Sequence, residues 1–272
     1  MVTLTSVPKV ERLSMDAIIE FMLLPMSGSA EHFISDAHKW HARLMVVAWG
    51  IFIPTGIFIA RYYKITTRQR WPLQLDNQFW WRTHLTLQIG GSVLSLAALV
   101  FVLLVAEVPE GRLESMHHLL GWSIILLAVS QIVGGALRGT KSHPTVVLDP
   151  DLHKMLNGGD HFEMSVRRRL FEYTHKIVGY SAMLLAVINI IVGLTITDAP
   201  RWMWIIIVLF WLMLLASCFR LQRAGRCVDT YQAIYGPAPE LPGNGRPPIG
   251  WGIKRYRADD WPPSGLRSSR RR

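Results

Sequence analysis

Charged residues are scarce in this sequence. Asp, Glu, Lys and Arg make up 18% of the 272 residues, whereas soluble domains average about 25%. Half of the residues are hydrophobic, and the mean hydropathy is +0.25. This composition excludes a disordered chain and a cytosolic α/β enzyme.

Cysteine is scarce as well. Only Cys218 and Cys227 occur, which excludes a scaffold held together by disulfides. The sequence also lacks the alternating apolar and polar segments of about ten residues that form the strands of outer-membrane barrels.

Long apolar runs, by contrast, are abundant. Five windows contain no Asp, Glu, Lys, Arg or His: Leu44–Ala60, Leu85–Ala106, Leu119–Leu137, Ile177–Ile196 and Trp202–Phe219. Each is close to the roughly 20 residues that cross a bilayer core. Within hydrocarbon, such a run must be a helix that satisfies its own backbone hydrogen bonds. The sequence therefore predicts an all-α integral membrane protein with five transmembrane helices.

The net charge of +10 is concentrated in particular connections. Lys and Arg cluster between spans one and two, between spans three and four, and after span five, ending in the run Arg267–Arg272. The connection between spans two and three instead carries Glu107, Glu110 and Glu114. Because basic loops stay cytoplasmic, we expect a multi-pass protein of the cell inner (plasma) membrane with its N-terminus outside and its C-terminus in the cytoplasm.

The N-terminal residues 1–40 are predicted to form a periplasmic or interfacial segment. Their apolar stretch, Ala17–Met26, is interrupted by Glu20 and Pro25 and is too short to span a membrane. It also lacks the cleavage site of a signal peptide.

The rest of the chain divides at about residue 220. Residues 41–220 are predicted to form the transmembrane domain, and residues 221–272 a cytoplasmic tail rich in Pro, Gly and Arg. Such a tail is expected to be mostly irregular. Its aromatic residues Trp251, Tyr256 and Trp261 indicate that it docks on another surface.

The histidines follow a pattern. Four of the five predicted spans carry a histidine at or just before their first turn, and these are His41, His84, His117 or His118, and His175. Because successive spans alternate in direction, His41 and His117 fall near the outer face, and His84 and His175 near the inner face. Paired neutral imidazoles on facing helices can hold a six-coordinate b-type haem. The pattern predicts two haem b groups, the outer iron bound by His41 and His117 and the inner iron by His84 and His175.

Glycines decide between His117 and His118. They follow His117 at offsets of +4 and +18, and they follow His175 at the same two offsets. These glycines are Gly121, Gly135, Gly179 and Gly193. Both offsets stay near the face of the histidine at about 100° per residue, and we expect a glycine one turn from an axial ligand to leave room for the macrocycle. The match favours His117 as the ligand and places His118 at the interface.

These residues resemble the cytochrome b561 family, in particular the transmembrane part of its DOMON-linked and ferric-reductase-like members. The matching motifs are His41-Ala-Arg-Leu-Met, Trp49-Gly-Ile-Phe-Ile-Pro-Thr-Gly, Ala60-Arg-Tyr, Trp80-Trp-Arg-Thr-His84-Leu-Thr-Leu-Gln88, His117-His-Leu-Leu-Gly121, Gln131 and Phe171-Glu-Tyr-Thr-His175-Lys-Ile-Val-Gly179-Tyr180. In that family, a four-helix core holds two b haems, and the first ligand pairs with the third and the second with the fourth. The resemblance therefore implies a four-helix bundle with the same pairing.

The resemblance also implies electron transfer across the membrane, with donors such as ascorbate and acceptors such as monodehydroascorbate or ferric chelates. A reductase activity of the ferric or ascorbate type stays open. No DOMON domain is expected before the first span, so we expect the redox partner to be a separate protein or subunit. Membrane lipids are expected partners and nucleic acid is not; a homodimer and a place in a larger membrane complex both stay open.

Two other functions compete with this interpretation. One is a haem-containing membrane anchor that docks or assembles a larger redox complex through its tail. The other is a transporter without haem, which is disfavoured because the charge-free windows hold no carboxylate or Lys to couple transport. Arg61, Arg82 and Lys176 are expected near the inner histidines, either to bind haem propionates or an anionic donor, or to act as positive-inside anchors.

Overall fold

The computed structural model describes residues 15–29, 34–105, 111–141 and 159–261. Five helices in these ranges are long and apolar enough to cross a membrane: Asp36–Tyr62 (α2), Phe79–Val105 (α3), Arg112–Ala136 (α4), Val166–Ile196 (α6) and Arg201–Arg223 (α7). The short helices are Met15–Leu23 (α1), Asp160–Glu163 (α5) and Thr230–Tyr235 (α8). The predicted all-α membrane fold with five transmembrane helices is confirmed. The acidic residues Glu107 and Glu110 and the run Arg267–Arg272 lie outside the described residues.

The transmembrane helices extend beyond the charge-free windows. Helix α6 begins at Val166, where the side chain of Ser165 accepts a hydrogen bond from the Arg168 backbone N–H at 3.2 Å and so caps the first turn. The connection between α6 and α7 runs only from Thr197 to Pro200, as its short sequence predicts.

Helix α2 contains a wide π-helical stretch, Val46–Phe52, followed by Pro54. Trp211 of α7 donates a hydrogen bond to this stretch, because its Nε1 lies 3.0 Å from the Gly50 oxygen. A Cβ at position 50 would lie 2.8 Å from Ile207 Cδ1, so glycine allows α7 to approach this closely.

The bundle consists of two antiparallel pairs, α2 with α3 and α4 with α6. The pairs meet mainly through α2 and α6, and α7 packs on the outside of α2. Their common core contains Ala48, Trp49, Ile124, Ala186 and Ile190, among others. Small side chains at the helix contacts let the backbones approach closely, as is usual where lipid supplies no hydrophobic driving force between helices.

Helix α1 lies against the start of α7. The Arg201 guanidinium is 4.4 Å from the centre of the Phe21 ring, and the Arg201 backbone N–H donates to the carbonyl of Leu24 at 3.0 Å. Ser27 also binds Asp198 in the α6–α7 turn. The N-terminal segment is therefore held at the end of the bundle where α6 ends and α7 begins.

The tail folds onto the opposite end of the bundle. Beyond the end of α7 at Arg223, and apart from α8 and a 3-10 turn at Ala258–Asp260, its described part is irregular, as predicted. Buried Tyr231 and Ile249 pack with Phe162 of α5, while Val228 and Ala233 pack with residues of the α2–α3 connection. The surface on which the tail docks thus belongs to its own chain.

Candidate functional site

The predicted outer histidines come together at the end of the bundle that carries the α6–α7 turn. The rings of His41 on α2 and His117 on α4 have their centres 6.1 Å apart, with an angle of 79° between their planes. They line a cavity, mostly apolar, that residues of α2, α3, α4 and α6 enclose, and Thr197 of the α6–α7 turn lies at its edge.

The predicted inner histidines form a second pair at the other end. The ring centres of His84 on α3 and His175 on α6 are 6.3 Å apart, and the angle between the planes is 76°. The two pairs are nearly identical in spacing and angle. Each antiparallel helix pair contributes one histidine to each end.

A backbone carbonyl of the neighbouring helix holds one histidine of each pair. His41 Nδ1 lies 3.1 Å from the Ala98 oxygen on α3, and His84 Nδ1 lies 3.0 Å from the Gly56 oxygen on α2. Because a carbonyl only accepts hydrogen bonds, Nδ1 must carry the proton in both rings. The Nε2 lone pair is then free, and this is the usual arrangement of metal-bound histidine.

Gly56 allows its contact with His84 to form. A Cβ at position 56 would lie 2.6 Å from Gln88 Nε2 and 3.2 Å from Leu87 Cβ, so a larger residue would push α3 away from α2. Gln88 uses the same close approach to donate to the carbonyl of Ile53 at 3.1 Å.

The spacing within each pair fits a shared metal ion. A metal–imidazole bond is about 2 Å long, so two imidazoles on opposite sides of one iron have ring centres about 6 Å apart. The observed separations are 6.1 and 6.3 Å. In addition, the Nδ1 atoms of His117 and His175 are buried and have no hydrogen-bond partner within the described residues. The donor set, its tautomers and its spacing therefore fit haem b at both ends.

The matching glycines also make contacts between helices. In the antiparallel pair of α4 and α6, a Cβ at Gly193 would lie 3.0 Å from His117 Cε1, and one at Gly121 would lie 3.5 Å from Asn189 Nδ2. These glycines therefore make room for side chains of the facing helix. At Gly135, no atom of the described residues lies within 4 Å of such a Cβ, which leaves open space on α4 instead.

The two pairs lie far apart along the bundle. Ala98, whose carbonyl binds His41, follows His84 on the same helix at an offset of +14. At a rise of 1.5 Å per residue this distance is about 21 Å. It is most of the thickness of a hydrocarbon core of about 30 Å, so the two sites lie near opposite ends of the bundle.

Two of the three cations expected near the inner pair bind the tail. Arg61 Nη2 donates to the carbonyl of Trp251 at 2.8 Å, and Lys176 Nζ donates to that of Ile249 at 2.5 Å. Arg61 Nη1 also donates to the hydroxyl of Tyr180 at 3.0 Å. Arg82 is exposed. The cations thus fasten the tail over the inner end of the bundle.

A buried charge network lies beside the inner pair. Glu172 accepts from Arg168 Nε at 3.2 Å, and it lies 3.4 Å from Lys176 Nζ and 3.5 Å from His161 Nε2. Burial, together with the nearby Arg168 charge, lowers the pKa of His161 to about 3. His161 is therefore neutral, and the carboxylate of Glu172 is balanced by the two cations.

Sequence reasoning missed three features of the site. They are the carbonyls of Ala98 and Gly56, the side chain of Asn189, and the tail contacts of Arg61 and Lys176. Asn189 could have been found, because it follows His175 at an offset of +14, just as Gln131 follows His117. The carbonyl partners had no sequence signal, because any residue type has a carbonyl.

Comparison with known proteins gives matches in the same region. The family model described as eukaryotic cytochrome b561 matches residues 40–148. No solved structure matches the chain.

Several curated relatives align with the membrane domain. A cytochrome b561, DM13 and DOMON domain-containing protein of Arabidopsis thaliana is 29% identical over 176 residues, which are 65% of this chain and 16% of the relative. A cytochrome b561 and DOMON domain-containing protein of the same plant is 24% identical over 60% of this chain and 33% of its own length. Ferric-chelate reductase 1 of Bos taurus is 27% identical over 57% of this chain, which is 22% of the length of the relative. The chain thus spans a third or less of these relatives.

Proposed function

We propose that this chain is a member of the cytochrome b561 family, whose model matches residues 40–148, and that it carries electrons across a membrane through two haem b groups. The observation that supports this most directly is the pair of equivalent histidine sites, with ring centres 6.1 and 6.3 Å apart near opposite ends of the bundle. In this proposal His41 and His117 bind the outer haem, and His84 and His175 bind the inner haem. Residues 41–220 then form the redox domain.

The residues of the chain have separate tasks in this function. When bound, haem b supplies a one-electron couple between ferric and ferrous iron. The carbonyls of Ala98 and Gly56 keep His41 and His84 in the tautomer that binds iron. The apolar cavity around His41 and His117 keeps water from the outer site, and Arg61 and Lys176 hold the tail at the inner end of the bundle.

The proposed orientation follows from the charges at the two ends. Helix α2 ends and α3 begins at the end of the bundle that also carries Lys64, Lys176 and the tail, and most basic residues of the connections lie there. By the positive-inside rule this end is cytoplasmic. The N-terminus is then outside and the tail inside, in the cell inner (plasma) membrane.

The identities of the redox partners are also proposals. The relatives named ferric-chelate reductase favour a ferric chelate as the acceptor, and a donor on the opposite face would complete the path. A separate protein or subunit could supply either one.

Haem content per chain tests the proposed ligands. We expect two haem b groups in the purified protein, measured against protein by the pyridine haemochromogen assay. His41→Ala and His117→Ala should each leave one haem, as should His84→Ala and His175→Ala. His118→Ala is the matched control, because His118 is the sequence neighbour of a ligand, and it should keep two.

The haem that remains in each variant shows that the variant is folded. Loss of both haems, or of neither, from all four ligand variants would contradict the assignment. If the wild-type chain holds two haems and His118→Ala loses one of them as His117→Ala does, the choice of His117 over His118 is wrong.

A further inference from the structure

Two buried polar atoms beside the outer pair have no hydrogen-bond partner among the residues that the structure describes. They are Nδ1 of His117 and Oδ1 of Asn189. Asn189 faces the His117 ring with both its backbone carbonyl and its side-chain amide, and both residues line the outer cavity. In the tautomer that His41 and His84 adopt, the ring nitrogen is a donor that needs an acceptor, and Oδ1 is an acceptor that needs a donor. Leaving both unpaired is unfavourable in a buried site.

The other histidine of the outer pair does not share this problem. His41 donates from Nδ1 to the carbonyl of Ala98. Ala98 follows His84 at an offset of +14, and Asn189 follows His175 at the same offset. The corresponding position in the two antiparallel helix pairs thus offers a backbone carbonyl to His41, and it offers a side-chain amide as well as a backbone carbonyl to His117.

The packing of α4 against α6 directs the amide toward His117. Asn189 Nδ2 lies 3.5 Å from the place of a Cβ at Gly121, one turn after His117. Gly193, one turn after Asn189, lies against the His117 ring itself. The Asn189 amide and the His117 ring therefore lie in the same contact region between α4 and α6.

We propose that Asn189 is a positioning residue for the outer haem. Its Oδ1 accepts a hydrogen bond from Nδ1–H of His117, which fixes the tautomer that leaves Nε2 free for iron. This role rests on the proposed ligation of haem by His117. An acceptor at Nδ1 makes the imidazole a more basic ligand, and more basic ligation stabilises the ferric state. Asn189 therefore lowers the reduction potential of the outer haem.

Potentiometric titration of the full chain tests this role. The outer haem is identified as the reduction wave that His41→Ala lacks. Asn189→Leu removes the acceptor at similar volume, and we expect about a tenfold change in the reduction equilibrium toward the ferrous state, which is about 59 mV for one electron. Asn189→Asp keeps an acceptor oxygen, and its outer wave should lie at or below the wild-type potential. The inner wave should not move in either variant.

Gln88→Leu is the matched control. It removes another amide from within a span, but Gln88 donates to the carbonyl of Ile53 and should leave the outer wave unchanged. If Asn189→Leu loses the outer haem and Asn189→Asp keeps it, the positioning role is supported as well. The role is overturned if Asn189→Leu leaves the outer wave in place, or if Asn189→Asp matches Asn189→Leu in potential or haem loss.

Failure of this role is distinguishable from failure of the proposed function. If the wild-type protein holds two haems and His117→Ala loses one, the ligation stands whatever the Asn189 variants do. If His117→Ala keeps both haems, the ligation itself is wrong.

Discussion

Replacing Gly193 with alanine should disturb the outer haem specifically. A Cβ at this position would lie 3.0 Å from Cε1 of His117, several tenths of an ångström inside ordinary van der Waals contact. The His117 ring must then tilt or α6 must move outward. Overpacking of this kind typically costs about 1–3 kcal/mol, and the gain in helix propensity from Gly to Ala offsets at most about 1 kcal/mol.

The net loss should appear in haem binding, because the displaced ring is a proposed ligand. A loss of about 1.4 kcal/mol would weaken the retention of the outer haem about tenfold. The assay is the haem content of the purified variant after dilution into haem-free detergent, with the outer and inner waves separated by redox titration.

Gly134→Ala provides the matched control. It is the same substitution in the interior of a transmembrane helix, but no atom in the described part of the chain lies within 4 Å of the added Cβ. We expect it to keep both haems and to be at least as stable as the wild type. If Gly193→Ala retains the outer haem as firmly as Gly134→Ala does, this reasoning is refuted.

Two further changes test the stability of the fold. Trp211→Phe removes the hydrogen bond from Nε1 to the Gly50 carbonyl, so thermal unfolding in detergent should show a loss of about 0.5–1.5 kcal/mol. An unchanged melting temperature in Trp211→Phe would contradict the role of Trp211 in joining α7 to α2. Burial lowers the pKa of His161 to about 3 in the folded protein, so as the pH falls the unfolded chain takes up a proton at His161 before the folded protein does. The stability that His161 contributes should therefore be present above about pH 6.5. It should fall by up to about 1.4 kcal/mol per pH unit between pH 6.5 and pH 3. His161→Phe should flatten that decline, measured by unfolding at several pH values, and an equally steep decline in the variant would exclude His161 as its cause.

The sequence predicted what depends on composition and on spacing within one helix. Five apolar runs and four terminal histidines are local features, and because spans alternate in direction, the positions of His41 and His84 already imply opposite ends. The structure brings each predicted pair together.

What the sequence could not predict depends on the register between helices. The +18 spacing of glycines indicated only that they share the face of the histidine on their own helix. In the antiparallel pair, Gly193, the glycine at +18 from His175, contacts His117 of the facing helix. The hydrogen bond from His84 to Gly56 has the same origin, since it requires two helices that approach closely at a residue without a Cβ.

The tail was hard to predict for another reason. Its Pro and Gly content correctly indicated irregular backbone, but irregular backbone can still be fixed by specific contacts. Lys64 illustrates this, since its buried Nζ donates to the carbonyl of Val228 at 3.0 Å and burial lowers its pKa to about 8. From the sequence, Lys64 is interpreted only as one of the basic residues that set the orientation in the membrane. In the structure it also holds the tail in place.

Electron transfer across a sealed membrane tests the central claim most directly. Proteoliposomes would enclose ferricyanide, and a membrane-impermeant reductant would be added outside. We expect the enclosed ferricyanide to be reduced with the wild-type protein, and much more slowly with His84→Ala, which retains the outer haem alone. If the wild-type protein holds both haems and the enclosed ferricyanide still stays oxidised, the proposed electron path is contradicted.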